Sequence, residues 1–296
     1  MTRLCTTALE EGIETEYAQF LIKAHDLMTQ PPPMHIESWP WPLKIYTLGT
    51  FRIELKGKPV VFRGKVQKKP LEMLKFVIAA GGYEVPEEWV IDALWTDAEG
   101  DSGHKSFENT VARLRKLLGN DTFLILQDGK LTLDPRSCWV DAWAVGRIID
   151  TAQSERKRDA QPSSRALDLA EKAILRYTGP FLADEMNKAW SVSPREKLKS
   201  NCIKMVNLLV SHWKSRGSWD KAIEYLSKGL EIDELAEDLR RELMMCYRAI
   251  GREIDAIKTY RHFREVLAKA LGIDPSLSTE ALYRELIEEK RKPSSH

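Results

Sequence analysis

Residues 102–119 read SGHKSFENTVARLRKLLG and have a clear helical periodicity. When each residue turns a helix by about 100°, the large apolar side chains of this stretch fall within one narrow arc. These side chains belong to Phe107, Val111, Leu114 and Leu118. Ser102 is a suitable N-cap and Gly119 a suitable C-terminal stop, so the pattern predicts a helix with one buried side.

The opposite side of this predicted helix carries basic and amide side chains. They are Lys105, Asn109 and Lys116, with Arg113 beside them and Ser106 at the margin. An Asn amide can pair with adenine and an Arg guanidinium with guanine, whereas Lys neutralises phosphate. We therefore predict that this face of residues 104–118 enters the major groove of double-stranded DNA, with an ordinary solvated basic face as the alternative.

The neighbouring segments follow the order of a winged helix-turn-helix. Alternating apolar residues predict strands over 43–62, with a turn at Lys56-Gly57-Lys58-Pro59. Two helices come next, the first beginning near Pro70 and ending at Gly81-Gly82, and residues 104–118 form the third. Asp128-Gly129 then joins two short strands in a predicted hairpin, which would be the wing.

Charge is segregated along this part of the chain. Residues 52–75 contain eight Lys or Arg and two Glu, and residues 84–101 contain acidic but no basic residues. We predict that Lys68 and Lys69, at the start of the first helix, and Lys130, at the wing tip, contact DNA phosphates. We expect the acidic segment to face away from DNA and to solubilise the surface; a contact with another protein such as RNA polymerase is the alternative.

After about residue 140, every predicted element is a helix. Gly217 and Gly251 are 34 residues apart, and in the same register Ala222 matches Ala256. This spacing is the length of a helix-turn-helix tetratricopeptide (TPR) repeat. The predicted fold class is mainly α with a small β component: a winged helix-turn-helix followed by a TPR-like, all-helical domain.

The chain before the strands predicts one helix and a stiff linker. Apolar residues at steps of three and four place a single helix over 8–28. Its apolar stripe comprises Leu9, Ile13, Tyr17, Phe20, Ala24 and Leu27. Prolines at 31–33 would end this helix, and alternating Trp and Pro at 39–42 would keep the connector extended. The predicted domains are 1–42 (helix and linker), 43–139 (winged helix) and 140–291 (helical domain).

Composition and absent motifs exclude several classes of protein. With 43% hydrophobic and 30% charged residues among 296, the chain is globular, and its net charge of +1 indicates no partner. The apolar run 76–80 is far shorter than the ~18 residues of a membrane helix, and the N-terminus resembles no signal peptide. We therefore expect a cytoplasmic protein without membrane contact.

The residues that usually carry chemistry are scattered in this sequence. The six histidines form no metal-binding pair, and no nucleophile or phosphate-loop motif occurs. We expect no enzymatic activity, no cofactor and no metal. The four separated cysteines predict reduced, buried thiols, and the spacing of seven tryptophans between Trp89 and Trp219 predicts structural packing roles for all of them.

Several short motifs, in a fixed order, resemble those of the antibiotic regulatory protein (SARP) family. Residues 93–97 (ALWTD) and 111–119 (VARLRKLLG) are similar to the family pattern LLWPD followed by VSRLRRLLG. Residues 140–144 (VDAWA) resemble the entry into the bacterial transcriptional activator domain of that family, and residues 176–182 (RYTGPFL) resemble its YRGPLL segment. The similarity covers about residues 43–290.

The resemblance implies a non-enzymatic, sequence-specific transcriptional activator with an OmpR-type winged helix and double-stranded DNA as its partner. Residues 104–118 would be the recognition helix, 123–133 the wing, and the helical domain a site of homodimerisation or partner docking. Residues 8–48 are similar to the junction before this module in MalT-type regulators, of which the chain would be a C-terminal part. The main alternative is a TPR-like interaction adaptor whose winged helix contacts protein rather than DNA.

Overall fold

The computed structural model describes residues 1–25, 27, 32–61, 68–96, 101–156 and 162–291. Two compact units are present: a first unit of Met1–Arg147 with Thr178–Leu198, and a second unit of Ile148–Tyr177 with Lys199–His296. These units follow packing, whereas the domain boundaries proposed above follow sequence pattern and stay predictions.

The secondary structure is mainly helical with short strands. In the described ranges the helices are α1 (Thr2–Glu11), α2 (Thr15–Ala24), α3 (Lys68–Ala79), α4 (Glu87–Leu94), α5 (Asp101–Leu118), α6 (Asp141–Arg156), α7 (Ser164–Arg176), α8 (Ala189–Ser215), α9 (Trp219–Ile232), α10 (Glu237–Ala249), α11 (Glu253–Leu271) and α12 (Leu277–Arg291). The strands are β1 (Leu43–Tyr46), β2 (Arg52–Leu55), β3 (Lys58–Pro59), β4 (Val85–Pro86), β5 (Leu124–Gln127), β6 (Lys130–Leu133) and β7 (Cys138–Val140). The predicted fold class is confirmed.

The strands of the first unit form two small sheets. One sheet has the order β3-β2-β1-β7, with β1 antiparallel to β2 and parallel to β7. The other has the order β4-β6-β5 and contains the predicted wing hairpin. Both predicted turns are present: φ is 49° at Lys56 and 76° at Gly57, and 49° at Asp128 and 68° at Gly129. Positive values at both central residues are typical of the type I′ turn of a two-residue hairpin.

Helices α3, α4 and α5 form the helix-turn-helix, in which α5 packs against the other two. Its predicted buried residues have exposures of 0–2% and are Phe107, Val111, Leu114 and Leu118. This outcome confirms the predicted buried side of α5. Gly119, with φ of 69°, follows the helix where the sequence pattern places its end.

The prediction of one helix over 8–28 is wrong. Backbone φ is 70° at Gly12 and 43° at Glu14, and these left-handed residues separate α1 from α2. The break changes which face is buried, so Ile13, Tyr17 and Phe20 are 59%, 60% and 61% exposed. Of the predicted stripe, Leu9 is part of the buried cluster. That cluster comprises Cys5, Leu9, Ala18, Ile22, Ile36, Trp39, Trp41, Tyr46, Trp139 and Ala144. The tryptophans of the predicted linker therefore pack into the first unit.

A buried carboxylate connects the two ends of the winged-helix region. Asp141, at the start of α6, accepts hydrogen bonds through Oδ1 from Thr47 N at 2.8 Å, Thr47 Oγ1 at 2.6 Å and Ala142 N at 2.7 Å, and through Oδ2 from Leu48 N at 3.0 Å. Burial raises the pKa of Asp141 above its ordinary value, although these donors favour the charged form. All four partners are N–H or O–H donors, so both carboxylate oxygens act as acceptors. Three of these donors belong to Thr47 and Leu48, more than 90 positions earlier in the chain.

Asp141→Asn is expected to lower the free energy of unfolding by about 1–3 kcal/mol although the two side chains have the same shape. The amide nitrogen would replace one acceptor oxygen and leave a buried backbone N–H, such as that of Leu48, without a partner. Urea denaturation followed by circular dichroism measures the change. The exposed Asp121→Asn is the control and is expected to alter stability by less than about 0.5 kcal/mol; equal stability of both variants would contradict the assigned role of Asp141.

In the second unit, α10 packs between α9 and α11, and α11 packs against α12. Ala222 and Ala256, which the 34-residue spacing makes equivalent, are both 0% exposed. Gly217 and Gly251 precede the paired helices with φ of 68° and 71°. A Cβ added to Gly229 would lie 2.8 Å from Leu239 Cδ1, so the helices approach closely there. The packing agrees with the predicted TPR-like organisation.

Other expectations can be compared with single side chains. All four cysteines are buried and free, as predicted. The structural role predicted for every tryptophan is wrong for Trp89, which is 59% exposed. It lies on the outer side of α4, whereas Val90 and Leu94 lie on the opposite, buried side of that helix. Among the residues that the structure describes, no helix has the length and apolar character needed to cross a bilayer.

Candidate nucleic-acid interface

The outward side of α5 carries the residues predicted to read DNA. Lys105, Asn109, Arg113 and Lys116 are exposed, and Ser106 is half-buried. The structure therefore places all five along one accessible side of a helix whose other side is buried. No ion pair joins Lys105, Arg113 or Lys116 to another described residue, so these three charges are available to a ligand.

Sequence reasoning missed a small residue on this face. Ala112 is exposed and lies three residues after Asn109 and four before Lys116, on the same side of α5. An Ala methyl group can contact the methyl group of thymine in the major groove. Its spacing of seven residues from Lys105, about two helical turns, was the signal that could have identified it.

Carboxylates lie beside the N-terminal part of the face. His104 Nδ1 forms a short hydrogen bond with Glu87 Oε1 of α4, and His104 Nε2 lies 3.5 Å from Glu108 Oε1. Both acids offset positive charge in the first turns of α5. The positive potential of the face is therefore stronger toward Arg113 and Lys116.

Arg115 joins α5 to the wing. Its guanidinium donates hydrogen bonds to the carbonyl oxygen of Leu124 from Nε at 3.1 Å and from Nη2 at 2.9 Å. Leu124 is the first residue of β5 and is fully buried. These bonds hold the wing hairpin at a defined position relative to the exposed face.

The two lysines at the start of α3 have different environments. Lys68 is exposed, whereas Lys69 Nζ donates to Glu72 Oε2 at 3.0 Å and to the Leu94 carbonyl oxygen at 2.6 Å. Lys69 Nζ also lies 5.5 Å from the centre of the Trp95 ring. Lys69 therefore connects α3 to the end of α4, and Lys68 has the more accessible ammonium group.

Lys130 is at the wing tip, as the hairpin pattern predicts. Its side chain is 49% exposed, and its Nζ lies 3.9 Å from Glu84 Oε2. Glu84 belongs to the acidic segment, so part of that segment lies beside the wing. Exposed acids are also present on α4 at Glu88 and Asp92, and Asp97 and Glu99 lie outside the described residues.

The remaining basic residues of 52–75 that the structure describes have different environments. Lys75 is only 8% exposed and its Nζ lies 2.7 Å from Glu185 Oε1. The guanidinium of Arg52 lies 3.5 Å from the centre of the Tyr46 ring. Lys56 and Lys58 are exposed at the β2–β3 turn. Arg63 and Lys65 lie outside the described residues.

Comparison with a solved structure shows that this fold is shared with a known protein. The structure of Mycobacterium tuberculosis EmbR in complex with a low-affinity phosphopeptide has a TM-score of 0.58 and 22% sequence identity to this chain. The similarity covers 84% of this chain and 65% of that chain. EmbR therefore shares the order of a winged helix-turn-helix followed by a helical domain.

Sequence comparisons identify regulators as relatives. The regulatory protein AfsR of Streptomyces griseus is 24% identical over 255 residues, which are 85% of this chain and 26% of that protein. The transcriptional regulatory protein MoaR1 of Mycobacterium tuberculosis is 22% identical over 249 residues, 81% of this chain and 78% of that protein. The chain spans about a quarter of the length of the AfsR proteins that it matches. The profile of the bacterial transcriptional activator domain matches residues 140–287, half of the 296-residue chain, and the protein therefore belongs to the bacterial transcriptional activator domain family.

Proposed function

We propose that this protein is a sequence-specific DNA-binding transcriptional activator that inserts α5 into the major groove. The exposed face of α5 is the observation that carries this proposal: its cations and one amide are accessible, while the opposite side is fixed by α3 and α4. A helix held in this way can enter the groove as a rigid unit. The regulatory proteins among the relatives support the same function.

The residue types on the face suggest separate roles in binding. Arg113 would pair with guanine and Asn109 with adenine, since each side chain can form two hydrogen bonds to the edge of that base. Lys105, Lys116, Lys68 and Lys130 would contact phosphates, and Ser106 a base or a phosphate. Lys69 was predicted as a further phosphate contact, but its bonds to Glu72 and Leu94 leave it a smaller share of the binding.

The assignment to the OmpR type is part of this proposal. Strands β1, β2 and β3 precede the helix-turn-helix, the hairpin β5–β6 follows α5, and β7 then returns to pair with β1. This order supports the resemblance stated from the sequence. Homodimerisation through the helical domain, contact with RNA polymerase, the adaptor alternative and the similarity to MalT-type regulators stay predictions.

Selection of bound duplexes from a random pool, followed by salt titration, tests the proposed function. An enriched sequence is expected, and the logarithm of its binding constant should fall linearly with the logarithm of salt concentration, by about 0.9 for each phosphate contact. Failure to enrich any sequence, or a binding constant that does not change with salt, would contradict the proposal.

Lys68→Ala is expected to reduce the salt slope by about one unit. Because phosphates are present in every duplex, this variant should weaken binding to selected and random DNA by the same factor. Lys172→Ala, which removes an exposed lysine of α7, is the control and should bind like the unsubstituted chain. An unequal loss on the two duplexes would assign Lys68 to base reading instead.

A further inference from the structure

One segment of the activator-domain region is part of the first unit. Residues 178–198 lie within the family match of 140–287, yet they pack with Met1–Arg147. Their backbone follows the loop between β1 and β2: Leu182 N donates to Thr47 O at 2.8 Å, and Gly49 N donates to Pro180 O at 3.1 Å. We refer to residues 178–198 as the docking segment.

The docking segment is held together by buried polar groups. Arg195 is 6% exposed, and its guanidinium donates to the carbonyl oxygens of Phe181 at 2.8 Å and Leu182 at 3.2 Å. Ser191, which is 0% exposed, accepts a hydrogen bond from Arg195 at 2.8 Å and donates to backbone oxygens of the segment. Because these buried polar groups are hydrogen-bonded to one another and to the backbone, they make the segment rigid.

Two ion pairs connect the docking segment to α3, the first helix of the helix-turn-helix. Lys75 and Glu185 are 2.7 Å apart, with side chains 10% and 16% exposed. Lys188 Nζ lies 2.5 Å from Glu72 Oε1. Burial alone would raise the pKa of Glu72, but hydrogen bonds from Lys188 and Lys69 outweigh it and lower that pKa. The rings of Trp190 and Phe76 also pack edge to face, with centroids 5.6 Å apart.

These contacts lie on the path to the DNA-reading face. Helix α3 packs on α5, and its first residue is Lys68. The Lys75–Glu185 pair is mostly withdrawn from water and is therefore screened little by salt, so it can fix the orientation of α3. The Lys188–Glu72 pair is more exposed on its lysine side, where the side chain is 43% exposed. Loss of the Glu185 charge leaves Lys75 buried without its ionic partner, and α3 is then expected to shift so that the ammonium group can be rehydrated. Loss of the Lys188 charge leaves Glu72 with Lys69 as its remaining partner.

We propose that Glu185 and Lys188 are positioning residues for DNA reading, which set the orientation of α3 and thereby that of α5. The proposal rests on the proposed DNA-binding function. Neither residue needs to touch DNA, because each acts through Lys75 or Glu72 of α3. The docking segment is then part of the sequence-reading unit rather than of the helical domain alone.

Glu185→Gln tests this role in the full chain, with Asp184→Asn, an exposed neighbour, as the matched control. We expect Glu185→Gln to bind the selected duplex about tenfold more weakly than the unsubstituted chain does. Its affinity for random duplex and its salt slope should be unchanged, because the phosphate contacts remain. The control should bind both duplexes normally. The proposal is overturned if Glu185→Gln loses no affinity for the selected duplex. It is also overturned if the variant loses the same affinity for both duplexes, which is what a reduced folded fraction would cause.

Hydrogen exchange of the unsubstituted chain provides a second test that does not depend on a variant. Coupling between two sites is reciprocal, so saturating selected duplex should slow amide exchange in residues 178–198 more than saturating random duplex does. Equal exchange with both duplexes overturns the positioning role. If the unsubstituted chain enriches no duplex at all, the proposed DNA-binding function is wrong. If the unsubstituted chain binds a selected duplex and Glu185→Gln binds it equally well, only the positioning role is wrong.

Discussion

Arg113→Ala is expected to lose about 1–3 kcal/mol of binding free energy for the selected duplex. The loss on random duplex should be much smaller, because the guanidinium is assigned to a base edge and not to the backbone. Arg113 is exposed on the surface of α5, so its removal should leave the helix intact. Gel-shift titrations with selected and random duplexes measure both losses.

Asn109→Ala should act like Arg113→Ala at a different base pair, and the two losses should add if the contacts are independent. The matched control is Arg165→Ala, which removes an exposed arginine of α7 in the second unit. It should bind both duplexes normally. If Arg113→Ala, Asn109→Ala and Lys68→Ala all lost the same affinity on both duplexes, the assignment of base-reading residues would be wrong.

Gly82→Ala is expected to destabilise the first unit by about 2–5 kcal/mol, from the sum of overpacking and a strained backbone. A Cβ at this position would lie 2.1 Å from the ring of Trp143 in α6, and φ is +73°. The backbone cannot easily move away, because Gly82 N donates to Val77 O and Gly82 O accepts from Leu133 N, each at 2.8 Å. The free energy of unfolding in urea measures the effect.

Gly57→Ala separates steric overlap from backbone strain. Gly57 has nearly the same φ, +76°, but nothing lies within 4 Å of an added Cβ. This control should cost about 1–2 kcal/mol, the strain of a left-handed residue alone. If Gly82→Ala and Gly57→Ala lowered the free energy of unfolding equally, the Trp143 ring would be able to move aside at no cost. That result would contradict the close packing assigned to Gly82 and Trp143.

The helix-turn-helix was predictable because its signals are local. The burial of α5 depends on residues three and four positions apart, and each hairpin turn depends on two neighbouring residues, such as Asp128 and Gly129. The exposure of Asn109 and Arg113 follows from the same periodicity. The N-terminal region was predicted less well, since a periodic pattern continued through Gly12 and concealed the break between α1 and α2.

Contacts between distant residues were not predictable in the same way. Lys75 counted as one of eight basic residues in its segment, but its partner Glu185 is 110 positions away along the chain. The sequence gives Lys69 and Lys68 the same predicted role, whereas in the structure Lys69 Nζ donates a hydrogen bond to the carbonyl oxygen of Leu94. Composition and spacing carry no information about such pairs, because no period connects their positions.

The amino-acid sequence alone specifies the helices of the helix-turn-helix, the hairpins and the two-faced character of α5, since these depend on interactions within a few residues. Tertiary packing decides which charges remain available to a ligand: it leaves Arg113 and Lys116 accessible, engages Lys69, and buries Lys75 against Glu185. The physical reason is that the solvation of a charge depends on every group around it, and most of those groups come from elsewhere in the chain.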